Sequence, residues 1–188
     1  MSRRARILFA VAVLSLAMPC FAQVPAAAKE AGDCQRVLCR EPATVRVMLK
    51  DGSAREVVSK GANPIVLSNG SVTIRQAEQV NIAVDLQGDA IRGVRAVKLP
   101  TEAGDALSLR LTQDATTRDS LLVVANGADR MLKFDLAVMA PDSDRLVKTP
   151  SCPVGPGKSL YEQFPQPVYQ VVVTRIRVLP AGSPATCN

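Results

Sequence analysis

The sequence predicts an all-β protein, an antiparallel β-sandwich that follows a cleaved signal peptide. Three observations point there. Residues 119–138 hold two apolar runs around a polar break: Leu122 and Val124 before it, then Leu132, Phe134, Leu136 and Val138 alternating with Lys133, Asp135 and Ala137. A period of two marks a strand with one buried face. Asn or Asp followed by Gly, the chemistry of tight turns, recurs between such runs. Beyond the first two dozen residues no long stretch has the 3.6-residue period of an amphipathic helix.

The chain opens with an export address. Arg3, Arg4 and Arg6 form a basic start, and Ile7 to Met18 is apolar. That run is far short of the roughly 20 residues a membrane-spanning helix needs. Cys20-Phe21-Ala22 fits a signal peptidase site, so cleavage is expected before Gln23, with 1–22 as the signal peptide. The rival is a lipoprotein signal using Cys20, against which Met18 and Pro19 are poorly suited. A bacterial Sec-type signal implies a periplasmic or secreted protein. No second apolar segment long enough to span a membrane follows.

The 188-residue chain carries 23 Lys+Arg against 17 Asp+Glu, and three of the arginines leave with the signal. The mature balance is 20 against 17, or +3, spread along the chain. That is no nucleic-acid footprint. Residues 23–43 read as a leader containing Cys34 and Cys39, and 44–188 as a single domain able to bury a core. The mature cysteines are Cys34, Cys39, Cys152 and Cys187, an even number suited to an oxidising compartment. Cys34 with Cys39 and Cys152 with Cys187 is the favoured pairing, the second pinning the C-terminal tail. Crossed pairings would staple the N-terminal segment to the end of the domain. The spacing lacks the paired knuckles of a structural zinc site.

In chain order, Val45, Val47 and Leu49 alternate with Arg46, Met48 and Lys50. Asp51-Gly52 then marks a hairpin turn, and Arg55 to Ser59 returns. Pro64 to Ser68 is short and apolar, Asn69-Gly70 is a second turn, and Ser71 to Arg75 follows. Asn69-Gly70-Ser71 also fits a glycosylation acceptor, but the turn explains it better. Val80, Ile82, Val84 and Leu86 give the clearest alternation, broken by Gly88-Asp89. Val94 to Leu99, Leu107 to Leu111, the 119–138 hairpin and a short edge strand at Arg145 to Lys148 complete the middle. Residues 149–167 hold five prolines and two glycines, which excludes a central strand or a long helix. Val168 to Leu179 is a long last strand.

The 119–138 stretch resembles a pairing in bacterial immunoglobulin-like modules. There an apolar strand ends in Asn, a short turn with Asp and a basic residue follows, and a Leu-x-Phe-x-Leu strand returns. The resemblance covers about 20 residues. It implies an immunoglobulin-like sandwich and no particular activity or site residues. The chain has no Trp, so the Cys…Trp…Cys hallmark of true immunoglobulin domains is missing.

Histidine is absent from the sequence. This excludes Ser-His-Asp and Cys-His nucleophile systems and histidine-built metal sites. Paired carboxylates or Ser-Lys chemistry survive. Gly155-Pro156-Gly157-Lys158-Ser159 suggests a phosphate loop, but Cys152 stands where the first glycine belongs and prolines surround it. Asp142 and Asp144, with Asp135, are too few for a calcium loop. No cofactor is expected. Three of the four mature aromatics, Tyr161, Phe164 and Tyr169, lie close together in the chain, followed by Arg175 and Arg177. Exposed Tyr and Arg are favoured anchors, so these five are the candidate partner-binding residues. Otherwise the rings cap one end of the sandwich. The expected function is an exported, non-enzymatic module binding another envelope protein. The alternative is a small exported carboxylate-based hydrolase, or an inhibitor of an envelope hydrolase.

Overall fold

The computed structural model describes Cys34 and residues 36–180 and 182–187. The expected signal peptide and residues 23–33 lie outside them. The described strands are β1 (Cys39–Arg40), β2 (Ala43–Met48), β3 (Ala54–Ser59), β4 (Asn63–Pro64), β5 (Val72–Arg75), β6 (Gln79–Gln87), β7 (Ala90–Val97), β8 (Ala106–Gln113), β9 (Ser120–Asn126), β10 (Leu132–Met139), β11 (Leu146–Thr149), β12 (Ser159–Phe164) and β13 (Gln170–Val178). A 3-10 turn, Pro100–Glu102, precedes β8. Strand makes up 53% of the structure, more than twice the usual share, which fixes the class as all-β.

The strands pair antiparallel throughout. One sheet has the order β12-β9-β8-β6-β7, a second β11-β10-β13-β5, and β1-β4 and β2-β3 form two small sheets. The two large sheets bury one shared core. The first contributes Val80, Ile82, Val84, Leu107, Leu109, Leu111, Leu122 and Val124; the second contributes Val72, Ile74, Leu132, Phe134, Leu136, Val138, Val171 and Val173. Each such side chain stabilises the fold by about 1.5–3 kcal/mol relative to exposure. Phe134 is the largest fully buried side chain.

The turns follow from their residues. In the first hairpin, Gly52 N–H bonds to Leu49 C=O (3.0 Å) and Leu49 N–H to Ser53 C=O (2.7 Å). Leu67, Gly70 and Ser71 repeat the pattern at 2.9 and 2.8 Å. Gly52 and Gly70 have φ of +85° and +77°. Both are therefore three-residue turns ending in a left-handed glycine, one residue longer than the two-residue form expected from Asp51-Gly52. Asp51 and Asn69 each accept the N–H two residues on, at 2.9 Å. The β2–β3 hairpin is held to the body by Gln113. Its amide accepts from Met48 N–H (3.0 Å) and donates to Met48 C=O (2.8 Å).

The 119–138 stretch is not a hairpin. β9 pairs with β8 and β12, and β10 with β11 and β13, so the chain crosses from one sheet to the other. Alternation could not distinguish the two arrangements, because both strands bury alternate residues in the same core either way. Asn126, 2% exposed, makes the crossing. Its Nδ2 donates to the carbonyls of Arg130, Val154 and Gly155 (2.8, 3.0 and 3.2 Å), and its Oδ1 accepts from Ala128 N–H at 3.0 Å. Gly127 N–H bonds to Ala106 C=O at 2.7 Å. A Cβ at residue 127 would sit 3.0 Å from that oxygen, so the close approach favours glycine.

Residues 149–167 are also more regular than their prolines suggest. Pro156 and Pro165 flank β12 without entering it, so a six-residue strand fits between them at a sheet edge. Both favoured disulfides are present, Cys34–Cys39 and Cys152–Cys187. The second, 35 residues apart, stabilises by on the order of 3–4 kcal/mol in the chain-entropy account.

Asn126→Ala should destabilise the fold by about 3 kcal/mol, since it strips buried backbone groups of their partner. For a domain of this size that lowers Tm by about 6–12 °C. Calorimetry of the variant checks this.

Candidate functional site

The candidate surface is built on β12, the edge strand that continues β9 outward. Leu160, Glu162 and Phe164 share a face with Leu122 and Val124 and turn toward the core, whereas Ser159, Tyr161 and Gln163 turn away. Phase therefore decides the fate of the rings. Phe164 is 5% exposed and belongs to the core, and Tyr169 is 8% exposed. Both are corrections to the expectation of exposed anchors: Phe164 belongs to the core together with Val168, and Tyr169 is buried where the chain enters β13. Tyr161 is 66% exposed. It pairs across the sheet with Val123, which pairs with Arg110. Arg110 is exposed, and Val123, Leu121 and Ala125 are half-buried on the same outward face. A large ring, an arginine and half-covered aliphatics form the usual anchor chemistry of an interface. Arg110 and Val123 were missed in the sequence. The alternation of Leu107, Leu109 and Leu111, and of Leu122 and Val124, already places them opposite the core.

Arg175 and Arg177 do not join Tyr161. They stand on the outward face of the other large sheet, beside Asp135 and Lys148. A bulge explains their direction. The β10–β13 register runs Lys133 to Arg177 and then Asp135 to Thr174, so Arg175 and Ile176 together oppose Phe134. Val171 and Val173 point inward before the bulge, Ile176 and Val178 after it. This change of phase carries both arginines out to solvent. Arg175 occupies the left-handed position of the bulge at φ +50°, where a non-glycine residue costs about 1–2 kcal/mol. Its guanidinium pairs with Asp135 Oδ2, and Arg177 Nη1 lies 3.2 Å from Asp135 Oδ1. The Asp135 carboxylate is thus committed to arginines rather than joined with Asp142 and Asp144, which lie exposed in the turn before β11.

Between these surfaces the tail is fastened. Lys133, 3% exposed, donates its ammonium to the backbone carbonyls of Ser151 and, at 3.3 Å, Thr186. These residues sit next to the two bridged cysteines. Burial holds the lysine's pKa below its ordinary value; Arg177 lowers it further, and Glu162 opposes. Ser151 is 1% exposed and its hydroxyl donates to Phe134 C=O. The amine meets the serine's carbonyl and thereby clasps the tail to β10. Gly155 to Lys158 forms a turn, with Lys158 N–H to Gly155 C=O at 3.1 Å, and leads into a strand. A phosphate loop leads into a helix.

A separate cleft of about 430 Å³ at the β6–β7 edge is lined by Asp85, Asp105, Glu102 and Arg95. Glu102 is turned to Lys98 N–H at 3.1 Å. Among the described residues, no three acidic or cysteine side chains are grouped to hold a metal.

Phe164→Ala should cost about 3–5 kcal/mol, and Tyr161→Ala should stay within about 0.5 kcal/mol of the parent. Urea denaturation of the two variants separates the buried ring from the exposed one. Comparison with protein-family models, curated proteins and solved structures finds no match to this chain.

Proposed function

We propose that this chain is an exported, non-enzymatic binding module, an immunoglobulin-like β-sandwich that captures an extended segment of another cell-envelope protein. The observation that carries the reading is β12: an edge strand with Tyr161 standing 66% exposed on its outward side. An unpaired strand edge offers backbone donors and acceptors to an incoming strand, while side-chain contacts give specificity. Tyr161 is the anchor, and Arg110 favours an acidic residue in the partner. The two large sheets with their common core support the sandwich. Arg3, Arg4, Arg6 and the apolar run to Met18 support export, as do the two disulfides.

The alternative hydrolase, or hydrolase inhibitor, would use the cleft lined by Asp85, Asp105 and Glu102. It lacks the anchor that β12 provides.

A photo-crosslinker placed at residue 161 in cells tests the reading. The expected result is one acidic envelope protein cross-linked to a periplasmic chain beginning at Gln23. Tyr161→Ala, cross-linked from residue 163, should lose that partner without a change in Tm. Retention of the chain in the cytoplasm, or capture undiminished by Tyr161→Ala, would contradict it.

A further inference from the structure

The outward face of the four-stranded sheet carries a second feature, independent of the Tyr161 surface. We propose that Lys148, Arg175 and Arg177 form a site for a doubly charged oxyanion, a phosphate or phosphate monoester. The three cations border a cleft of about 470 Å³ whose lining also includes Leu136, Thr149 and Pro150. Asp135 is the one carboxylate lining it, which leaves an excess of two positive charges. Lys133 is not among the lining residues, and Arg177 and Glu162 act on its ammonium with opposite sign.

A solvated sheet face also carries arginines, but it does not call for strain. Arg175 holds φ +50° at a bulge position suited to glycine. Strain of this kind persists where geometry serves a site. Here it turns both guanidinium groups toward one point. Asp135 already occupies that point with its carboxylate, bound by both arginines, so the geometry is suited to oxyanions and is held ready without ligand. A single further carboxylate would leave one cation unmatched. A phosphate monoester carries about −1.5 to −2 charge at neutral pH, which matches the excess, and guanidinium forks fit its oxygens. The cleft is larger than the anion alone, leaving room for the group that bears it.

Calorimetric titration of the folded chain with inorganic phosphate, at constant ionic strength in chloride, tests the site. Saturable one-to-one binding is expected. Arg175→Gly should weaken it by about tenfold or more while Tm stays level or rises, because glycine relieves the backbone. Lys148→Ala should weaken it at unchanged Tm, and Arg55→Ala, on β3, should bind as the parent. Sedimentation with phosphatidylcholine vesicles, with and without phosphatidic acid, distinguishes the source. Binding only to the phosphatidic acid vesicles, beyond that to free phosphate, assigns a lipid headgroup; phosphate binding alone assigns a soluble ligand. Absence of saturable binding in both arms would overturn the proposal. So would parent affinity in Arg175→Gly, or a fall in its Tm that accounts for the lost binding.

Discussion

The side-chain amide of Asn126 is the joint on which both large sheets and the edge strand depend. A chain that leaves one sheet and enters another must expose backbone groups at the crossing, and inside a protein each needs a partner. Asn126 satisfies the carbonyls of Arg130, Val154 and Gly155 together. Its own backbone accepts from Gly157 N–H and donates to Lys158 C=O, both at 2.9 Å. One residue therefore fixes the end of β9, the entry to β10 and the start of β12. The Cys152–Cys187 bridge and the Lys133 clasp hold the same region from the other side.

This joint makes β12 an ordered edge rather than a frayed one, and order matters for binding. A segment that is already fixed pays less entropy when a partner adds to it. The β5 edge is treated differently. Thr73 N–H bonds to Ile65 C=O at 2.9 Å. The Arg40 guanidinium binds Thr73, Pro64 and both oxygens of Glu78. That edge is closed by the chain itself. At β11, Leu146 and Val147 are 49% and 60% exposed, and the exposed Lys148 adds a charge to that strand. Among these edges, β12 joins a side with which no described strand pairs to a large outward ring.

Much of the architecture was legible because alternation reports burial directly. Val80 to Leu86, Leu107 to Leu111 and Leu132 to Val138 are strands with the buried faces the sequence indicates. The sheet to which each strand belongs was not legible, since β9 and β10 would alternate identically as a hairpin. In the candidate surface, prolines obscured a readable pattern. Leu160 and Phe164 are in phase with each other and out of phase with Tyr161, which separates core from anchor once a strand is assigned. The bulge left a trace too: Val171 and Val173 are followed by Ile176 and Val178, an odd step in an even pattern. What no local pattern could show is that Tyr161 and the two arginines belong to different sheets, because that depends on pairing between distant segments.

Through Asn126, β12 is locked to the core rather than attached as a loose flap. Native-state hydrogen exchange measures this most directly. Amides of β12 bonded to β9 should exchange only through global unfolding, with the same opening free energy as those of β9 and β10. Exchange of the β12 amides through a separate, lower-energy opening, while β9 stays protected, would contradict it.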